Sequence, residues 1–144
     1  MKFKQWLILY ILCSASSVYA EVIQIDAQQL KSLIKAGVTV IDLRTPSEWD
    51  QTGIVEGSLP IMFFDERRQP QAKQWMHKVA QIVTPDDELI LICRTGNRSN
   101  MVGNYLVRQH DFRRVYNVSK GIKDWIAQGN KTIRVAQQSN LSQE

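Results

Sequence analysis

The chain has 144 residues, of which 44% are hydrophobic and 22% charged. That is enough for one domain with a modest core, and no internal repeat or long linker divides it. The formal net charge is only +4 and no Lys/Arg run is interleaved with aromatics, which argues against a nucleic-acid-binding surface. Two cysteines, Cys13 and Cys93, are too few for a disulfide framework.

The first twenty residues read as an export signal. Lys2 and Lys4 give a basic start, Trp6 to Cys13 is apolar, and "SASSVYA" ends with Val18 and Ala20 at signal-peptidase spacing. The apolar run is short beside the roughly 20 residues of a membrane span, so cleavage after Ala20 is expected; a retained N-terminal anchor is the alternative. Residues 21–135 then form a single domain, and residues 136–144 a polar, frayed tail. Cys13 leaves with the signal, so Cys93 is the only thiol of an exported chain, a state that suggests deep burial or use. Four glycosylation sequons, at Asn97, Asn117, Asn130 and Asn140, fit a bacterial periplasm better than a eukaryotic secretory route.

Along the mature chain, "VIQI" (22–25) reads as a strand. Asp26 then caps a helix, with Gln29 three residues on, apolar Leu30, Leu33 and Ile34, and Gly37 as the stop. "VTVIDL" (38–43) has the nearly continuous apolar character of a strand covered on both faces. Pro46 opens the next helix, and "SLPIMFF" holds a short extended piece. Residues 66–82 are predicted helical, with Trp75, Val79 and Ile82 on one face. "ELILIC" (88–93) is a second central strand, 99–110 a helix, "RVYNV" a strand and "GIKDWIAQG" the last helix. This alternation predicts an α/β domain, a mainly parallel sheet with helices on both faces. Ligands of such sheets bind beyond the carboxyl ends of the strands, and Cys93 lies at one of them.

Cys93 opens the loop "CRTGNRS", residues 93–99. With a helix starting near Ser99, the backbone N–H groups of 94–98 are free to form an anion-binding cup at its positive end. Gly96 supplies the freedom the turn needs. Arg94 and Arg98 add positive charge, so Cys93 is expected to be a nucleophile poised as thiolate. Residues 94–134 carry nine basic residues against Asp111 and Asp124 alone, a bias able to steer small anions. Lys120 and Lys123 are candidates for a substrate-attracting rim. His77 and His110 lack His or Cys partners in the pattern of a metal site, so no metal is expected. Trp75 and Trp125 read as core residues and Trp49 as packing beneath the Arg44 segment.

These residues carry a resemblance. "CRTGNRS" resembles the active-site loop of rhodanese-type sulfurtransferases, with Cys93 as catalytic cysteine and Arg94, Thr95, Gly96, Asn97 and Arg98 as the substrate-binding loop. "IDLRTPSEW" is similar to the family's Asp-x-Arg…Glu-aromatic segment at Asp42, Arg44, Glu48 and Trp49. "VYNVSKGIKDW" resembles its closing strand, glycine turn and tryptophan at Val118, Gly121, Ile122 and Trp125. Two departures stand out: "TGIVEGS" lacks the family's His and Pro, and Lys120 replaces the first of two glycines. The resemblance implies a rhodanese-like fold and a Cys93 persulfide that carries sulfur from a small anionic donor such as thiosulfate to a thiol or cyanide-like acceptor. It implies no metal or organic cofactor, and leaves room for a periplasmic partner protein. Asp42, Arg44, Glu48 and Trp125 are read as structural support, with Arg44 pairing with Glu48. Two rival functions are weighed. A cysteine phosphatase or arsenate reductase uses a longer interval between Cys and the final Arg than residues 93–98 provide. A sulfur-carrier or partner-binding module keeps the thiol without much free turnover.

Overall fold

The computed structural model describes residues 20–141, with side chains described through residue 138. The expected signal segment therefore lies outside the described residues, apart from Ala20. The elements are β1 (Ile23–Ile25), α1 (Ala27–Lys35), β2 (Thr39–Asp42), α2 (Pro46–Thr52), β3 (Leu59–Pro60), α3 (Ala72–Val79), β4 (Glu88–Ile92), α4 (Asn97–Gln109), β5 (Arg114–Val118), α5 (Gly121–Ala127) and α6 (Val135–Leu141). All strand pairs are parallel, in the order β1-β5-β4-β2-β3. The α/β architecture with helices on both faces is the one predicted.

Period-two alternation in the central strands builds two cores. Leu89 and Leu91 of β4 join Ile41, Trp75, Val79, Val102 and Leu106 on one face. Ile90 and Ile92 join Leu30, Val40, Val118, Ile122 and Trp125 on the other. A strand buried on both faces needs apolar residues at every position, which "ELILI" supplies. α1 starts as predicted: Gln29 N–H donates to Asp26 Oδ1 (2.8 Å) and Asp26 N–H to Gln29 Oε1 (3.0 Å), two orphan donors satisfied reciprocally.

Three stretches differ from expectation. The helix predicted over 66–82 is confined to α3. Asp65 Oδ1 accepts from the N–H groups of Arg67 (2.9 Å) and Gln69 (2.8 Å), and Phe64 bridges to Pro70. A side-chain-anchored turn thus displaces the first helical turns. At the other end Ile82 is exposed and Val83 takes the buried place. α4 begins two residues before the predicted start. The tail expected to fray from residue 136 is instead helical to Leu141, and it docks: Gln138 Nε2 donates to Ser58 O (2.5 Å) and Gly57 N–H to Gln138 Oε1 (2.9 Å). Just before it, Ile133 bridges Ile54 and Thr132 Oγ1 donates to Thr52 O (2.7 Å). The stretch 52–58, where the sequence departs from the family pattern, is held by these contacts.

Topology positions the site. From β2 the chain moves outward to β3, and from β4 it moves the other way to β5. Loops leaving neighbouring strands in opposite directions open a crevice at their carboxyl ends. Asp42 and Cys93 flank that crevice.

Candidate active site

Cys93 follows the last residue of β4, where Leu43 N–H donates to Ile92 O (2.9 Å) and ties the ends of β2 and β4 together. The chain then turns through Gly96, at φ +91°, into α4. A side chain here is excluded twice over: the backbone is left-handed, and a Cβ would collide with the carbonyl of Ser119. The turn after β5 makes the reciprocal demand. Gly121 sits at φ +62°, and its Cβ would collide with the carbonyl of Arg94. Ile122 N–H donates to Cys93 O (2.9 Å) and Lys123 N–H to Arg94 O (3.2 Å). Two glycines thus let two loops interlock backbone to backbone and fix the cysteine loop in place.

The thiol is enclosed, with Cys93 only 1% exposed, and it is not disulfide-bonded. Its Sγ accepts from Gly96 N–H and from Ser99 Oγ, each at 3.2 Å. Ser99 is fully buried, and its hydroxyl also lies 3.2 Å from Gly96 O. One hydroxyl hydrogen serves either the sulfur or the carbonyl, so the donor can follow the charge on Sγ. Ser99 is a site residue that no sequence motif marks. Its signal was its place, a small hydroxyl residue in the first turn of the helix that follows the loop.

The arginines divide differently from expectation. Arg98 does not turn into the cup; its Nη1 and Nη2 grip Glu48 Oε2 (2.8 Å) and Oε1 (2.6 Å). Burial by itself would raise the Glu48 carboxyl. The Arg98 bonds, the Thr45 N–H and the charges of Arg98 and Arg44 outweigh it and hold Glu48 below the ordinary carboxylate range. The same bonds raise Arg98 further. The expected Arg44–Glu48 ion pair is therefore corrected. Arg44, fully buried, pairs with Asp42 (2.7 Å), and it also donates to Thr52 Oγ1 (2.7 Å), Gly53 O (2.8 Å) and the Glu48 carbonyl (3.4 Å). A buried guanidinium needs such saturation. Arg44 anchors the backbone of α2, and α2 offers the Glu48 carboxylate to Arg98.

Arg94, Thr95 and Asn97 are exposed. With Arg98 they form one wall of a cavity of about 660 Å³, faced by Phe64, Arg68 and Met101. Trp125 is buried behind the site, donating Nε1–H to Lys131 O (2.8 Å). His77 is exposed, and His110 packs edge-on against Tyr105 (4.7 Å); both lie away from the loop.

An enclosed thiol in an amide- and hydroxyl-lined turn, at the switch point of a parallel sheet, defines a class: an α/β domain with a cysteine loop at the carboxyl edge of its sheet. The sequence model described as the Rhodanese-like domain matches residues 26–128, and the chain belongs to that family. Thiosulfate sulfurtransferase 18 of Arabidopsis thaliana is 26% identical over 117 residues, spanning 78% of this chain and 85% of its own. Rhodanese-like domain-containing protein 17 of the same plant is 29% identical over 110 residues, spanning 74% of this chain and 69% of its own. Among solved structures, the rhodanese-like domain of an Anabaena protein superposes with a TM-score of 0.61 at 20% identity, covering 79% of this chain and 80% of that one. The polysulfide-sulfur transferase homodimer of Wolinella succinogenes does so at 0.61 and 18%, covering 78% and 79%. At those identities the structural likeness concerns the fold.

Proposed function

We propose that this protein is a sulfurtransferase that carries a sulfane sulfur on Cys93. The Cys93 thiolate attacks the outer sulfur of thiosulfate; the S–S bond of the donor breaks, sulfite leaves with its electron pair, and Cys93 holds the persulfide. An acceptor such as cyanide or a thiolate then attacks the outer sulfur. The persulfide S–S bond breaks, and its electron pair returns to Sγ. Sulfur is moved with no external oxidant or reductant.

The observation that carries this reading is the pair of donors at 3.2 Å on Cys93 Sγ, Gly96 N–H and Ser99 Oγ. Both lie within reach before reaction, the Gly96 N–H fixed by the turn and the Ser99 hydroxyl needing only to rotate, so they stabilise anionic sulfur with little reorganisation. The start of the 13-residue α4 adds a favourable dipole, worth about 0.3–1 kcal/mol. The sulfurtransferase named among the relatives supports the same reading. Its setting in this proposal is the periplasm, after removal of the first twenty residues.

Mass spectrometry tests it. Thiosulfate treatment is expected to add the mass of one sulfur at Cys93, and cyanide to remove it. A chain that gains no sulfur, or keeps it in cyanide, is not this enzyme.

A further inference from the structure

Beside the cysteine loop lies a second, smaller cavity of about 190 Å³, between α2 and α5. Its lining includes Arg44, Glu48, Arg94, Ile122, Lys123 and Ile126. The charges sort into committed and uncommitted. Arg44 is paired with Asp42 and Glu48 with Arg98. Among the described residues, the side chains of Arg94 and Lys123 have neither a hydrogen bond nor an ion pair. Lys120, the other rim candidate from the sequence, does not line this cavity.

Three features make the pair more than two surface cations. Lys123 N–H donates to Arg94 O and Gly121 abuts the Arg94 carbonyl, so Arg94 and Lys123 are anchored to one another's backbone. The cavity is bordered by Ile122 and by Ile126, a large apolar residue that is 40% exposed. It also shares Glu48, Gln51 and Arg94 with the 660 Å³ cavity in front of the loop. A molecule whose sulfur meets the loop from the front can therefore rest its other end here. At about 30 Å³ per water, the space holds roughly six waters, the bulk of a short aliphatic acid and more than five-atom thiosulfate fills.

We infer that this cavity is an acceptor subsite for a thiol bearing a carboxylate, with the carboxylate between Arg94 and Lys123 and the aliphatic carbons on Ile122 and Ile126. The inference rests on the sulfurtransferase reading and names the acceptor class for it. The acceptor thiol loses its proton to solvent and its thiolate attacks the outer sulfur of the Cys93 persulfide. A new S–S bond forms on the acceptor, the old one breaks, and Cys93 departs as thiolate.

A binding arm and a transfer arm test it. In the Cys93→Ser chain, NMR titration compares 3-(methylthio)propionate, a thioether that cannot accept sulfur, with its neutral alcohol analogue. The carboxylate should bind about fivefold tighter, the scale of one partly exposed charge pair. Lys123→Gln should remove that preference, and Ile126→Glu, which sets a negative charge beside the subsite, should abolish carboxylate binding. Equal binding of the two ligands, or a preference indifferent to both variants, overturns the subsite. In the transfer arm, persulfide-loaded protein, its loading checked by mass, is discharged with 3-mercaptopropionate, 2-mercaptoethanol or cysteamine at equal thiolate concentration. The anionic thiol should outpace the cationic one by about tenfold, with the ratio falling toward one in Lys123→Gln. An even ratio in the wild-type chain counts against the subsite. Failure to load sulfur counts against the sulfurtransferase reading alone, and the binding arm then still decides the subsite.

Discussion

Replacing Cys93 by Ser separates chemistry from packing at a single atom. The hydroxyl enters an enclosed position, but Gly96 N–H and Ser99 Oγ are already aimed at it, so it is not left unsatisfied. Stability should change by less than about 1 kcal/mol. Turnover should vanish, because an unactivated hydroxyl is a poor nucleophile at neutral pH. Thermal melting and thiosulfate:cyanide turnover on the same sample decide it, and a well-folded Cys93→Ser chain that still turns over refutes the Cys93 mechanism. Ser99→Ala is the subtler case. It removes one of the two donors on Sγ and should slow turnover about tenfold, equivalent to about 1.4 kcal/mol of transition-state stabilisation. Melting should fall only by the worth of one hydrogen bond, about 0.5–1.5 kcal/mol. A loss of activity no greater than the loss of folded protein would make Ser99 a packing residue. The cysteine, the glycine turn and the following helix were legible in seven consecutive letters. Ser99 was not singled out, because its role depends on where its hydroxyl points, which spacing does not encode.

At the scale of elements, the Glu48–Arg98 pair fastens α2 to the first turn of α4 across the crevice. Both side chains are mostly buried, at 21% and 29% exposed, and the contact is bidentate, so it should exceed an ordinary surface pair and contribute about 1–2 kcal/mol. The fold lowers Glu48 from its ordinary value of 4.5. A carboxyl lowered on folding stabilises fully above its unfolded value and loses that contribution as pH falls through the folded one. The melting difference between wild type and Glu48→Gln should thus be constant near neutrality and shrink toward zero below about pH 4.5. A difference that grows on acidification would contradict the sign. The sequence revealed that Asp42, Arg44 and Glu48 form one supporting segment, yet it misassigned the partners. Two arginines competed for two carboxylates, and only the parallel pairing of β2 with β4 brings Arg98, fifty residues away, within reach of Glu48. α1, with its capping box, is local and was readable. The turn that shortens α3 and the docking of α6 are not: one hangs on the Asp65 side chain, the other on contacts with residues 52–58.

For the whole molecule, the question is where the surplus of nine basic over two acidic residues in 94–134 lies. A parallel sheet sorts charge by strand end. Arg113 and Arg114 sit at the amino end of β5, where Asp86 (3.2 Å) and Glu88 (4.0 Å) offset them. Arg94, Lys120 and Lys123 gather at the carboxyl ends, and among the described residues none of them has an ion pair. Three unpaired cations of this stretch thus sit at the face that holds Cys93. Such a field raises the encounter rate of a dianion, and salt screens it, with a Debye length of about 8 Å at 0.15 M and about 3 Å at 1 M. Thiosulfate kcat/KM should therefore fall about three- to tenfold between about 0.02 M and about 1 M ionic strength. The rate of Cys93 alkylation by uncharged iodoacetamide should change by less than about twofold over the same range, since a neutral reagent feels no long-range steering. A flat profile for thiosulfate, or an equal fall for iodoacetamide, would show that the charge asymmetry is only solvated helix surface with no part in bringing substrate to the loop.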